Sequence, residues 1–223
     1  MQFTFHQESG NQFLEIDGDI YKYLFKARRH KVGEKIYFRN LTDNYLYLYV
    51  VNSIDRKKAF CELLSKEEKI VEAKNKLHLA WCLLDPKTVE KSISSLNELG
   101  VDKITFLYCE FSQKNFKINM EKLEKILINS SSQCGRSSII KLETCNNLDK
   151  FLEENKDTYV LDFSKNNINT KKEEINTLLI GCEGGFSEIE RKRFDENRIV
   201  GFESSLILKS ETAIISAASK ILI

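Results

Sequence analysis

The stretch Leu179-Ile180-Gly181-Cys182-Glu183-Gly184-Gly185-Phe186-Ser187-Glu188-Ile189-Glu190 decides how the rest of the chain is read. Residues 177–180 read as a buried strand, and the chain then enters a loop with three glycines. Ser187 followed by Glu190 is a capping box, which opens a helix. Glycines at the end of a strand let the backbone approach a ligand closely. In open α/β sheets, ligands bind outside that end of the strands. The spacing is neither G-x-G-x-x-G nor that of a Gly-Lys-Ser/Thr phosphate loop. A plain strand-to-helix turn needs one glycine, so the three together read as a ligand loop.

Outward from this loop, strand and helix patterns alternate. Leu77–Leu84, Ile104–Cys109 and Tyr159–Phe163 read as further strands. Asp85-Pro86 reads as an N-cap with proline at the first helical position, opening a helix that stops at Gly100. Met120–Ser132, Ser187–Asn197 and Ser210–Leu222 read as helices. Ser210 can cap the last of these, with Glu211 in its first turn. Alternation of this kind predicts a parallel α/β sheet. Arg136 follows the Gly135 that ends the middle helix. The final helix carries one charge, Lys220, among alanines and isoleucines, so it must be buried on nearly every side.

The first third reads differently. Residues 35–64 alternate aromatic and polar positions between turn signals, which predicts a small antiparallel barrel. Asp17-Gly18-Asp19 precedes Ile20, Tyr23, Leu24 and Ala27, spaced for a short helix. The charged stretch 69–75 reads as a linker, giving a barrel over 1–68 and an α/β domain over 76–223. The barrel also holds a basic run: Lys22, Lys26, Arg28, Arg29, Lys31, Lys35 and Arg39 stand with His30 against one acid, Glu34. Tyr21, Tyr23, Phe25, Tyr37 and Phe38 interleave. Cations for phosphates and aromatics for bases are what RNA binding uses, although a solvated face has the same composition.

Composition restricts the alternatives. The 223 residues carry 34 Lys and Arg against 33 Asp and Glu, so any nucleic-acid binding comes from a local patch. No apolar run approaches the roughly 18 residues of a membrane span, and the N-terminus lacks a signal-peptide pattern. These features imply a cytoplasmic protein that binds no membrane. The six cysteines form no CxxC pair and no zinc spacing with histidine, so no metal is expected, and the thiols read as reduced, small hydrophobes.

Five elements together carry a family resemblance. Ile180–Ser187 resembles the "IGPEGGFS" signature of the RsmE family of 16S ribosomal RNA uridine methyltransferases. Ile207–Ala213 resembles that family's "ILRxETA", Glu98–Val101 its "ELGV", and Gln133–Arg136 its "QSxR". Arg29 with Gly33 resembles its "LRxxxG". The resemblance implies a PUA-like N-terminal barrel for RNA, and a C-terminal SPOUT domain whose trefoil knot folds around S-adenosylmethionine. It also implies a homodimer acting on 16S ribosomal RNA of the small subunit, methylating N3 of a uridine in the 3′ decoding region. Cys182, Lys209, Phe111 and Glu203-Ser204 depart from the family pattern.

The expected cofactor contacts are Ile180, Gly181, Glu183, Gly184, Gly185, Leu206, Ile207, Leu208 and Thr212. Glu211 or Glu183 is the candidate base for the N3 proton, with Arg136 and Lys209 stabilising charge on the uracil carbonyls. The expected RNA contacts are Lys26, Arg28, Arg29, Lys31 and Arg39. The rival expectation is a non-catalytic RNA-binding dimer that retains the α/β domain. An intact Glu183-Gly184-Gly185 argues against it.

Overall fold

The computed structural model describes residues 2–113 and 115–223. Its residues cluster into two units. One comprises the chain up to Glu72 together with Ile128–Ile139, and the other comprises Ala73–Leu127 and Ile140–Ile223.

The first unit is built on a five-stranded sheet. Its strands are β1 (Thr4–Phe5), β2 (Phe13–Ile16), β3 (Lys35–Arg39), β4 (Tyr45–Ile54) and β5 (Ala59–Glu68). The spatial order is β1-β3-β4-β5-β2. All pairings are antiparallel except β1 with β3. The alternation expected over 45–51 holds from Tyr47 on, with Tyr47, Tyr49 and Val51 buried, and is broken at its start, where Leu46 is buried as well. Register shifts between Leu48 and Tyr49 and between Val51 and Ser53 interrupt the β4–β5 ladder. Such bulges bend a sheet, and this one curls as a half-barrel around Leu14, Ile16, Leu24, Phe38 and Tyr49.

A short helix, α1 (Gly18–Tyr21), closes that core and widens into a π-type turn over Lys22–Ala27. There the Arg28 N–H donates to the Tyr23 carbonyl at 2.9 Å. The wide turn buries Leu24 and Phe25 while leaving Lys22, Tyr23, Lys26, Arg28 and Arg29 outside. It hands over to Arg29 in the left-handed region, φ 61°.

The second unit is an all-parallel sheet. Its strands are β6 (His78–Cys82), β7 (Lys103–Leu107), β8 (Lys141–Cys145), β9 (Tyr159–Leu161), β10 (Thr177–Ile180) and β11 (Ile199–Val200), in the order β11-β9-β10-β6-β7-β8. The central strands are apolar and buried, as sheets covered on both faces require. The helices are α2 (Pro86–Leu99), α3 (Met120–Cys134, whose residues from Ile128 on cluster with the first unit), α4 (Leu148–Glu154), α5 (Ile168–Lys171), α6 (Glu188–Arg191) and α7 (Ser210–Leu222). Asp85 caps α2 by accepting from the Thr88 N–H, and Gly100 ends it. α7 packs against α2, α5 and β10.

Three expectations need correction. The helix read over 187–197 is one turn, α6. Phe194 turns inward against Phe186, with ring centroids 5.0 Å apart, and Asp195 caps a separate 3-10 turn over Glu196–Arg198. Ser210 is not an N-cap; it is the first residue of α7, and its hydroxyl is engaged elsewhere. The cysteines are not all free. Cys82, the last residue of β6, and Cys109, just past the end of the neighbouring β7, form a disulfide. Their 27-residue separation in sequence hid a pairing that adjacent parallel strands create.

Candidate cofactor cavity and basic face

The glycine loop after β10 folds back on itself. The Gly185 N–H donates to the Cys182 carbonyl at 2.9 Å. The return requires glycine at two positions. A Cβ on Gly181 would stand 3.0 Å from the Gly185 Cα, and Gly185 itself has φ 68°. The capping box read from the sequence is present. The Glu190 N–H donates to Ser187 Oγ at 3.2 Å, and the Ser187 N–H donates to the Glu190 carboxylate at 2.9 Å.

Ser210 fixes the loop from beneath. Its hydroxyl donates to the Gly181 carbonyl at 2.5 Å and accepts from Trp81 Nε1 at 2.9 Å. Trp81 and Ser210 are both buried. One hydroxyl thus ties β6, the glycine loop and the start of α7 together. Sequence reasoning took Ser210 for a helix cap and missed this bridge. Its signal, a polar residue closing the apolar run 206–208, is shared with any cap.

Around this loop lies a cavity of about 480 Å³ at the C-terminal ends of β9 and β10. That is the size expected of a small-molecule site. Three segments wall it: 161–164, 180–186, and 201–210 with gaps; Arg191 and Ala213 complete the wall. Of the expected cofactor contacts, Ile180, Gly181, Glu183, Gly184, Gly185, Leu206, Ile207 and Leu208 line it. Thr212 does not; it is exposed, and Ala213 takes its place in the wall. Leu206 and Ile207 are respectively 75% and 80% exposed, so the cavity offers apolar surface to whatever fills it. The segment Asp162-Phe163-Ser164 was not anticipated. It follows a parallel strand, and the same rule that singled out the glycine loop points to it. Asp162 receives a two-pronged contact from Arg191, Nε at 2.7 Å and Nη2 at 3.2 Å. That contact holds the Arg191 guanidinium above its ordinary pKa.

The candidate catalytic groups separate. Glu183 is exposed on the cavity wall. Glu211 and Lys209 flank wall residues Ser210 and Leu208 but are not part of the wall. Arg136 belongs to the 128–139 segment that clusters with the first unit. It is buried, and its Nε donates to Ser138 Oγ at 3.2 Å. His78, at the N-terminal end of β6, is held neutral: burial and then Lys103 push its pKa down to about 4. Cys182 is buried within the loop, and that burial raises its thiol pKa.

On the first unit, Lys26, Arg28, Arg29 and Lys31 are exposed. Lys26 Nζ sits 5.4 Å from the centre of the Tyr21 ring. The Arg28 guanidinium lies 5.3 Å over the Tyr23 ring, and its Nε donates to the Tyr23 hydroxyl at 3.1 Å. Glu34, the one acid of the run, is taken up by His30 at 2.7 Å. Arg39 leaves this group. It is 1% exposed, donates to the Lys69 carbonyl at 2.7 Å and stacks over Phe3. Buried inside the sheet, this guanidinium is out of reach of a phosphate.

Known proteins match both regions of the chain. Residues 71–222 match the model of an RNA methyltransferase domain, and residues 16–64 match that of an RNA methyltransferase PUA domain. The ribosomal RNA small subunit methyltransferase E of Helicobacter pylori is 38% identical over 98% of this chain and 98% of its own. Among solved structures, a methyltransferase from Legionella pneumophila in complex with S-adenosylmethionine is 26% identical. It aligns with a TM-score of 0.79 over 99% of this chain and 95% of its own. The Neisseria gonorrhoeae ribosomal RNA small subunit methyltransferase E, 16% identical, shares the fold with a TM-score of 0.82 over 98% and 95% of the two chains.

Proposed function

Because the chain belongs to the ribosomal RNA small subunit methyltransferase E family, we propose that it transfers the methyl group of S-adenosylmethionine to N3 of a uridine in the 3′ decoding region of 16S ribosomal RNA. The observation that carries this reading is the cavity walled by 161–164, 180–186 and 201–210, whose glycine loop keeps Glu183-Gly184-Gly185 intact. The glycine backbone, the apolar Leu206, Ile207 and Leu208, and the Asp162–Arg191 pair fit a cofactor with a flat apolar base and a charged amino-acid end. When bound, that cofactor supplies an electrophilic methyl group. The rival, a non-catalytic RNA-binding dimer, has no use for a preserved cavity of this kind.

N3 of uridine holds a proton at neutral pH, and its lone pair becomes available when that proton leaves. Glu183, exposed on the wall, is the base this geometry favours over Glu211. Lys209, next to the wall residues Leu208 and Ser210, is the cation of the proposal, opposing negative charge that develops on the uracil carbonyls; Arg136, buried in the first unit, is not assigned that role. Holding N3 in line with the sulfonium methyl supplies much of the remaining rate. The exposed Lys26, Arg28, Arg29 and Lys31 hold the RNA backbone. The reading also includes a cytoplasmic homodimer and a knotted chain around the cofactor. Support for the dimer comes from the half-buried Ile215, Ser216, Ser219 and Leu222 on α7 and the exposed Ile223 that follows.

Mass mapping of small-subunit ribosomal RNA from a strain lacking this protein tests the proposal. One methyl group should disappear from one uridine and return with the wild-type gene. An unchanged methylation pattern contradicts it.

A further inference from the structure

The turn after β7 rests on the glycine loop. The Glu190 carboxylate, 4% exposed, accepts from the Ser187 N–H with one oxygen and from the Glu110 N–H with the other, each at 2.9 Å. It therefore does more than cap α6: it clamps two loops that follow different strands. The turn is also closed internally, with the Ser112 N–H donating to the Cys109 carbonyl at 3.0 Å and the Cys109 N–H donating to Ser112 Oγ at 3.2 Å. The Cys82–Cys109 disulfide anchors it to β6.

This rigid turn carries Phe111. The ring packs on Gly184, where an added Cβ would stand 3.1 Å from Phe111 Cβ and 3.3 Å from two ring carbons. Gly184 in turn lines the cavity. Phe111 is 51% exposed; of the other phenylalanines of this unit, Phe106, Phe151, Phe186 and Phe194 are buried, and Phe163, 77% exposed, is itself part of the cavity wall. An apolar ring fixed by its backbone and left half uncovered beside a ligand cavity has a free face. Single-stranded bases are recognised by stacking on such faces.

We propose that Phe111 is a substrate-binding residue, whose ring stacks against the base that accepts the methyl group and sets it at the Gly184 rim of the cavity. The assignment rests on the RNA-methylation reading above. Glu190 acts as a positioning residue, holding the turn that presents the ring.

The test compares Phe111→Ala, Phe111→Leu and Phe111→Trp in the full-length protein. The readouts are KM for 16S ribosomal RNA, RNA affinity with S-adenosylhomocysteine bound, S-adenosylmethionine affinity by calorimetry, and Tm. Loss of one stacked base is expected to raise KM and weaken RNA binding by about tenfold in both the Ala and Leu variants. The Trp variant should restore both, while cofactor affinity and Tm stay within error. Wild-type behaviour in the Leu variant would show that the ring is only apolar packing and overturn the proposal. So would a parallel loss of cofactor affinity in the Ala variant, which would place its effect in Gly184. If the wild-type protein methylates a nucleoside other than uridine, the proposed function falls. The RNA-affinity comparison of Ala with Trp still decides on stacking.

Discussion

On the N-terminal sheet, the groups offered to a ligand stand off the backbone. Lys26, Arg28, Arg29 and Lys31 are exposed side chains on a turn whose own core, Leu24 and Phe25, lies underneath. Around the C-terminal cavity much of what is offered is backbone, at the three glycines of the loop and at Gly201, together with a few apolar side chains and the charged Asp162, Glu183 and Arg191, and the loop is locked by Ser210 and Glu190. The first arrangement is additive, because each cation can be removed without disturbing its neighbours. The second is cooperative, because moving one strand of the loop moves the wall. Substitutions should therefore cost ligand affinity gradually in the first unit and abruptly in the second.

The largest effect is expected at Gly181. A valine there places Cβ and its methyls against the Gly185 backbone, which cannot yield as a side chain tip can. Calorimetry should show S-adenosylmethionine binding lost, while RNA affinity stays within about twofold, as expected for independent sites. Retained cofactor binding in a folded Gly181→Val protein would break the cooperative half of the comparison.

Arginines of the first unit give the next contrast. Arg39→Ala empties a buried site and strands the Lys69 carbonyl. It should cost roughly 2 to 4 kcal/mol in denaturant unfolding. Arg28→Ala with Arg29→Ala should change stability by less than about 0.5 kcal/mol. That double variant should instead lower the salt slope of RNA binding by about one per lost phosphate contact. Equal effects on RNA from Arg39 and from the pair would erase the distinction between buried and exposed cations.

Ser210→Ala sharpens the cooperative side. It leaves Trp81 Nε1 and the Gly181 carbonyl buried without their partner. The expected loss is about 1 to 3 kcal/mol of stability, accompanied by weaker cofactor binding. Stability loss with unchanged cofactor affinity would make the bridge structural only.

An effect confined to acid pH is expected at His78. Its folded pKa of about 4 lies below the usual value, so between roughly pH 6.5 and 4 the unfolded chain holds more protons than the folded one. Stability from this group is complete above that window and lost as pH falls through it, on the order of 1 to 3 kcal/mol at most. Unfolding measured across this range should show a shallower slope in His78→Gln.

What the sequence disclosed follows the same division. The central strands and α2 were legible because burial on both faces leaves unbroken apolar runs, and Asp85-Pro86 and Gly100 mark their helix chemically. β8 was not: Lys141-Leu142-Glu143-Thr144-Cys145 is an edge strand, largely exposed, and carries no apolar alternation. The glycine loop was legible because its chemistry is local. The Asp162–Arg191 pair, the Cys82–Cys109 disulfide and the Ser210 bridge were not, since each joins residues that only the sheet order brings together. Arg39 was misjudged because a cation flanked by aromatics reads alike whether it faces solvent or core.

The central claim is that the cavity holds S-adenosylmethionine for transfer to uridine N3. Its most direct test uses the purified protein with methyl-labelled S-adenosylmethionine and small ribosomal subunits from a strain lacking the protein, followed by nucleoside analysis of the 16S ribosomal RNA. The account predicts label in 3-methyluridine alone, abolished by Gly181→Val and strongly reduced by Glu183→Gln. Label in any other nucleoside, or none despite cofactor binding in calorimetry, would contradict it.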